Sequence, residues 1–156
     1  MLDLFVYGSL KPGERNYGEV AAQVVRACPG TIPGRMYLRE TGYPTLWLPP
    51  EAILGQGSRD YPADLRRTRR PFDSRTGCQP EEEVAGTLLR LSEGERMLRH
   101  LDWFEEVNGD YIRSLVAVRT GDSAFELAWV YRCTEAQVAM LPTWRRIPSW
   151  PPDVTF

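Results

Sequence analysis

Residues Leu2–Tyr7 (LDLFVY) form an almost unbroken apolar and aromatic run, ended by Gly8-Ser9. So short a run, without polar alternation, predicts a strand buried on both faces. A strand of that kind needs covering layers on each side, and this constrains everything that follows. The chain has 156 residues, long enough for one domain to bury such a strand without metals or disulfides. We therefore expect a single domain over residues 1–156.

Beyond Gly8, Lys11-Pro12-Gly13 prolongs the loop, and Asn16 with Glu19 has the form of a helix-starting capping box. Val20, Ala21, Val24, Val25 and Cys28 follow at helical spacing until Pro29-Gly30, so a helix is expected there. Strands are expected at Thr31–Leu38 and Tyr43–Leu48 around a turn at Glu40-Thr41-Gly42. Gln56–Glu83 then holds only Tyr61, Ala63, Leu65, Phe72 and Cys78 as apolar members. Its arginines (59, 66, 67, 69, 70 and 75) face Asp60, Asp64 and Asp73, and the stretch reads as a polar, solvated insertion at about 56–83. Val84–Leu91 is a strand, and Ser92 with Glu95 caps a helix running to about Glu105 and stopped by Asn108-Gly109. Tyr111–Arg119 and Ala124–Arg132 form a hairpin, Thr134 with Gln137 caps a short helix, and a Pro- and Trp-rich tail from Pro142 lies extended. Local hairpins mixed with longer connections indicate an α+β fold.

Scarce residues exclude more than common ones suggest. One histidine and three widely spaced cysteines, Cys28, Cys78 and Cys133, leave no metal-ligand spacing, so no metal site is expected. Nineteen Lys+Arg against 21 Asp+Glu, a net charge of −2, argues against a general nucleic-acid binder. No run approaches the roughly 18 apolar residues of a membrane span, and no basic leader precedes the first strand, so a cytoplasmic protein is expected. If the chain is an enzyme, a carboxylate does its proton work.

Two places carry chemistry. On a helix with Met97 set at zero and about 100° per residue, Leu98, Leu101 and Phe104 define an apolar arc from about −20° to about 100°. Glu105 falls inside that arc at about 80°, while Asp102 and Glu106 fall outside it at about 140° and 180°. A carboxylate on the apolar face either finds a partner or has a raised pKa, as a general acid or base needs. The second place is the loop Tyr7-Gly8-Ser9-Leu10, where a buried strand hands the chain to a glycine turn. Backbone N–H groups there can hold an anion.

Together, Tyr7-Gly8-Ser9-Leu10, Val84-Ala85-Gly86, Leu101-Asp102-Trp103-Phe104-Glu105, Tyr111-Ile112-Arg113 and Ala128-Trp129-Val130-Tyr131 make an ordered pattern. It resembles the γ-glutamylcyclotransferase-like superfamily, in particular the branch with γ-glutamylamine cyclotransferase and the AIG2-like proteins. The match covers residues 2–16 and 84–131, is vague over 31–48, and is absent over the insertion and the tail.

The resemblance implies a small mixed β-barrel with flanking helices. It implies conversion of a small γ-glutamyl amide or amine to 5-oxoproline and free amine, without a cofactor. Glu105 would then be the catalytic acid/base, and Tyr7, Gly8, Ser9, Leu10 and Tyr111 would bind substrate. The Gly8–Leu10 backbone would either hold the α-carboxylate or polarise the reacting carbonyl. The family pattern has glycine where Glu106 stands; that carboxylate either raises the pKa of Glu105 further or marks a branch with another substrate or none. The alternative function is a non-catalytic small-ligand or protein-binding module on the same fold.

Overall fold

The computed structural model describes residues 1–72, 82–109 and 111–151. Strand β1 (Leu2–Val6) is fully buried, as its unbroken apolar run requires. Leu2, Leu4 and Val6 enter one apolar cluster with Leu89, Leu98 and Trp129, while Phe5 enters a second with Ile32, Val116 and Val130. The two faces of one strand thus seed two cores.

The remaining strands of the main sheet wrap around β1. It pairs antiparallel with β6 (Glu83–Leu91) and parallel with β8 (Phe125–Arg132), where Leu4 faces Trp129. Outward from these lie β2 (Val24–Pro33), antiparallel to β6, and β7 (Ile112–Arg119), antiparallel to β8. β2 and β7 meet at Thr31 and Arg119, so the mixed sheet curls into a closed ring, and β5 (Gly55–Gln56) extends the edge of β7. Inside the ring Gly86 gives way to its neighbours: a Cβ there would sit 2.4 Å from the Val6 carbonyl oxygen and 2.6 Å from the Phe5 ring. A second sheet has the order β4 (Pro44–Trp47), β3 (Arg35–Leu38), β9 (Arg145–Ile147). Helices flank the strands, and the α+β class expected from the sequence holds.

Helix α2 (Gly94–Gly109) lies on the first core through Met97, Leu98 and Leu101, the arc its periodicity marked. Its start differs from expectation. The Ser92 hydroxyl donates to the Gln23 carbonyl at 3.3 Å, and Glu95 pairs with Arg99 at 3.1 Å, so no Ser92–Glu95 box forms.

The helix expected after Asn16 is absent as well. Two 3-10 turns, Tyr17–Glu19 and Ala21–Gln23, lead into β2 instead. Asn16 donates its amide to the Ser9 hydroxyl at 2.9 Å rather than capping a helix. Val24 and Val25 are β-branched, Pro29 and Gly30 resist a helix, and β6 offers a partner from Leu91 to Glu83. Long-range pairing overrode a helical spacing.

The polar stretch also contains structure. Helix α1 (Tyr61–Arg67) is capped by Asp60, whose carboxylate accepts from the Ala63 N–H at 3.1 Å, and it buries Asp64 and Thr68 follows it into the interior. A wholly solvated insertion is therefore wrong for residues 56–72. Residues 73–81, with Arg75 and Cys78, lie outside the described residues. Helix α3 (Glu135–Val138) has the Thr134–Gln137 capping box its sequence indicates. The tail beyond Pro142 is not merely extended over the body. β9 is a sheet member, and Trp150 packs on the second core. No helix among the described residues is long and apolar enough to cross a membrane.

Candidate active site

A cavity of about 170 Å³ opens between the loop after β1, α2 and the edge of the second sheet. Each element brings a side chain for a traceable reason. β1 and β8 run parallel, so Tyr7 and Tyr131 arrive at the same end of the ring. Helical periodicity turns Glu105 onto the apolar side of α2, where it is only 9% exposed. The chain then doubles back, the Tyr111 N–H donating to the Glu105 carbonyl at 3.3 Å, and Tyr111 enters β7 facing the same space.

The Glu105 carboxyl has no hydrogen-bond or ion-pair partner among the described residues. Burial pushes its pKa up from 4.5 to about 7, because removing water disfavours the charge and no cation compensates. Glu106 is exposed and does not line the cavity, and burial is the cause of the Glu105 shift. Asp102, outside the apolar arc as expected, binds Arg113 (2.9 Å) and accepts from the Tyr131 hydroxyl at 2.6 Å.

The loop is pinned from within. The Lys11 N–H closes a turn onto the Gly8 carbonyl at 3.0 Å, and the Asn16 N–H binds the Ser9 carbonyl at 2.8 Å. In such a turn the N–H groups of the two central residues, here Ser9 and Leu10, are left unused by the turn itself. Leu10 buries its side chain in the first core at 6% exposure. Gly8 is required for a close approach: a Cβ would lie 2.7 Å from Cγ of Pro44. Pro44 in turn accepts the Tyr111 hydroxyl through its carbonyl at 2.7 Å, so loop, β4 and Tyr111 form one wall.

All six residues singled out from the sequence, Tyr7, Gly8, Ser9, Leu10, Glu105 and Tyr111, thus line one cavity. Sequence reasoning missed Tyr43, Pro44, Arg15 and Phe104, and named Tyr131 only as part of a motif. The signal for Tyr131 is its parallel partnership with β1, which no local pattern reveals. Among the described residues no cluster of three or more His, Cys, Asp or Glu gathers to hold a metal.

The family model described as gamma-glutamyl cyclotransferase, AIG2-like, matches residues 4–67 and 58–150. The chain belongs to this family. Solved structures agree on the γ-glutamyl cyclotransferase, AIG2-like fold. An AIG2-like protein from Mus musculus superposes with TM-score 0.63 at 21% identity, over 96% of this chain and 88% of that one. YkqA from Bacillus subtilis gives 0.57 at 18% identity, over 94% of this chain and 37% of that one. A structure titled gamma-glutamyl cyclotransferase gives 0.55 at 17% identity, over 96% and 72%. No curated protein matches the chain. At these identities the structural likeness speaks for the γ-glutamyl cyclotransferase, AIG2-like fold alone.

Proposed function

We propose that the protein is a γ-glutamyl cyclotransferase-type enzyme that converts a small γ-glutamyl amide or amine to 5-oxoproline and free amine. The observation that carries this reading is Glu105, a buried and unpartnered carboxyl facing a small cavity, with a pKa of about 7. Such a group is ionised often enough near neutrality to accept a proton and acidic enough, once protonated, to return it.

The nucleophile is the α-amine of the substrate, so the protein needs no serine, cysteine or cofactor for the attack. Glu105 takes a proton from the α-ammonium, and the freed amine adds to the γ-carbonyl carbon. The new C–N bond closes a five-membered ring, and the old amide C–N bond breaks. Of the three ammonium protons, the lactam nitrogen keeps one and two end on the departing amine. Five-membered closure is already unimolecular, so the cavity has only to hold the bent conformer. The free N–H groups of Ser9 and Leu10 hold the α-carboxylate or the developing oxyanion.

The test is mass-spectrometric detection of 5-oxoproline from a panel of γ-glutamyl dipeptides and γ-glutamylamines, with Glu105→Gln alongside. Release should fall by about 100-fold or more in the variant. Equal release from the variant removes the role of Glu105. Silence across the panel from folded protein, with binding of γ-glutamyl ligands retained, assigns the chain to a non-catalytic binding module.

A further inference from the structure

We propose that Asp102 and Arg113 fix the direction of the Tyr131 hydroxyl proton, so that Tyr131 presents acceptor lone pairs to the cavity and receives the α-ammonium of a γ-glutamyl ligand. The inference rests on the functional reading above and adds the polarity of the site and the residues that set it.

The argument starts at a guanidinium that cannot lose its charge. Arg113 is 5% exposed and donates to both oxygens of Asp102, Nε to Oδ1 at 2.9 Å and Nη2 to Oδ2 at 3.1 Å. Its Nη1 donates to Asp64 Oδ2 at 2.9 Å, and Nη2 also reaches the Ser58 carbonyl at 2.9 Å. Asp64 is further held by the Ser58 N–H at 2.7 Å and hydroxyl at 2.9 Å. Asp64 also accepts from Arg67 Nη1 at 3.3 Å, so two guanidiniums face the two carboxylates. Met by a guanidinium N–H at each oxygen, the Asp102 carboxylate acts as an acceptor. The Tyr131 Oη lies 2.6 Å from its Oδ1, so the single phenolic proton is committed to Asp102.

The same polarity recurs around the cavity. Tyr7 donates its hydroxyl to the Tyr131 carbonyl at 2.7 Å, and Tyr111 donates to the Pro44 carbonyl at 2.7 Å. With those protons committed, the phenol oxygens can offer only acceptance. The Arg39 guanidinium stands over the Tyr111 ring, 5.5 Å from its centre, and Tyr7 and Tyr131 supply the other two acceptors. Both feel the charge of Glu105, and burial holds both firmly as neutral phenols. Acceptor phenol oxygens beside one buried carboxyl fit a compact group rich in N–H donors. The α-ammonium is that group in a γ-glutamyl ligand, and binding it there places it against the base that must deprotonate it. Tyr131 is a ligand-contacting residue in this scheme, and Asp102 and Arg113 are positioning residues.

The experiment compares two ligands by calorimetry in a Glu105→Gln background, which prevents turnover: a γ-glutamyl amide and its glutaryl analogue, in which hydrogen replaces the α-ammonium. Tyr131→Phe should weaken the γ-glutamyl amide by about tenfold or more while moving the glutaryl analogue less than about twofold. Asp102→Asn should erase the same discrimination with Tyr131 intact, because its carboxamide can donate to the phenol oxygen and release the phenolic proton toward the cavity. Equal losses for both ligands, or no loss in either, overturn the assignment of Tyr131. Discrimination unchanged in Asp102→Asn overturns the positioning role. If the parent protein binds neither ligand and the unmodified protein releases no 5-oxoproline, the functional reading falls and takes this inference with it. Turnover with equal affinity for the two ligands overturns this inference alone.

Discussion

Glu105 is perturbed by what surrounds it and by what is missing beside it. Phe104 and Tyr111 line the same cavity, water is withdrawn, and burial carries the pKa from 4.5 to about 7. The consequence for stability has a definite sign. Below pH 4.5 the carboxyl is protonated in folded and unfolded chains alike. Between about 4.5 and about 7 the folded protein retains a proton that the unfolded chain has released, so stability falls as pH rises. The loss reaches up to about 3 kcal/mol above pH 7. Glu105→Gln should therefore be more stable than the parent protein by up to that amount at pH 8 and close to it at pH 5. Urea unfolding at the two pH values measures the difference, and a gap that ignores pH would mean the carboxyl is solvated. The same burial predicts that turnover per free enzyme, kcat/KM, rises through pH 7 as Glu105 ionises.

Among the elements, α1 departs furthest from its sequence. Its surroundings are polar and arginine-rich, yet Asp64 is 1% exposed and ties the helix to Arg113 of β7. Arg113 in turn stacks 4.6 Å from the centre of the Trp129 ring, and the Trp129 indole N–H donates to the Asp64 carbonyl at 3.1 Å. One cation thereby joins α1, α2, β7 and β8 behind the cavity. Asp64→Ala should destabilise the protein by about 3 kcal/mol, because it leaves a buried guanidinium short of an anion. Denaturant midpoints for Asp64→Ala and for the exposed Arg66→Ala control test this, and matching midpoints would return α1 to the status of a surface appendage. The capping motifs make a related point. Thr134 closes its box on Gln137, whereas Asn16 and Ser92 carry equally good local signatures and give their hydrogen bonds to Ser9 and Gln23 instead. A cap is a competition among acceptors, and distant acceptors enter it.

For the molecule as a whole, the closed ring and the second sheet have to be assembled together. β9 reaches back to pair with β3, Ile147 is 4% exposed in the second core, and the Lys11 ammonium donates to the Trp150 carbonyl. The end of the described chain therefore braces the loop that carries Gly8–Leu10. Truncation after Thr143 should cost at least about 2 kcal/mol from lost apolar burial and should also weaken ligand binding. Chemical denaturation with calorimetry on the shortened protein checks both effects. Full ligand affinity after truncation would separate the tail from the site.

Local chemistry was legible wherever a residue's neighbours in sequence are also its neighbours in space. The apolar run of β1, the arc of α2 with Glu105 on it, the β7–β8 hairpin and the Thr134 cap all follow from short-range pattern, because strand and helix periods act over a few residues. The family pattern added the pairing of Glu105 with the Tyr7–Leu10 loop. What stayed hidden depends on distant partners. β6 made a strand of Val24–Pro33, Arg113 drew Asp64 inward, and parallel pairing with β1 set Tyr131 beside Glu105. In each case a long-range hydrogen bond or ion pair outweighed a local preference of a few tenths of a kcal/mol per residue, and a linear pattern holds no record of which residues will meet.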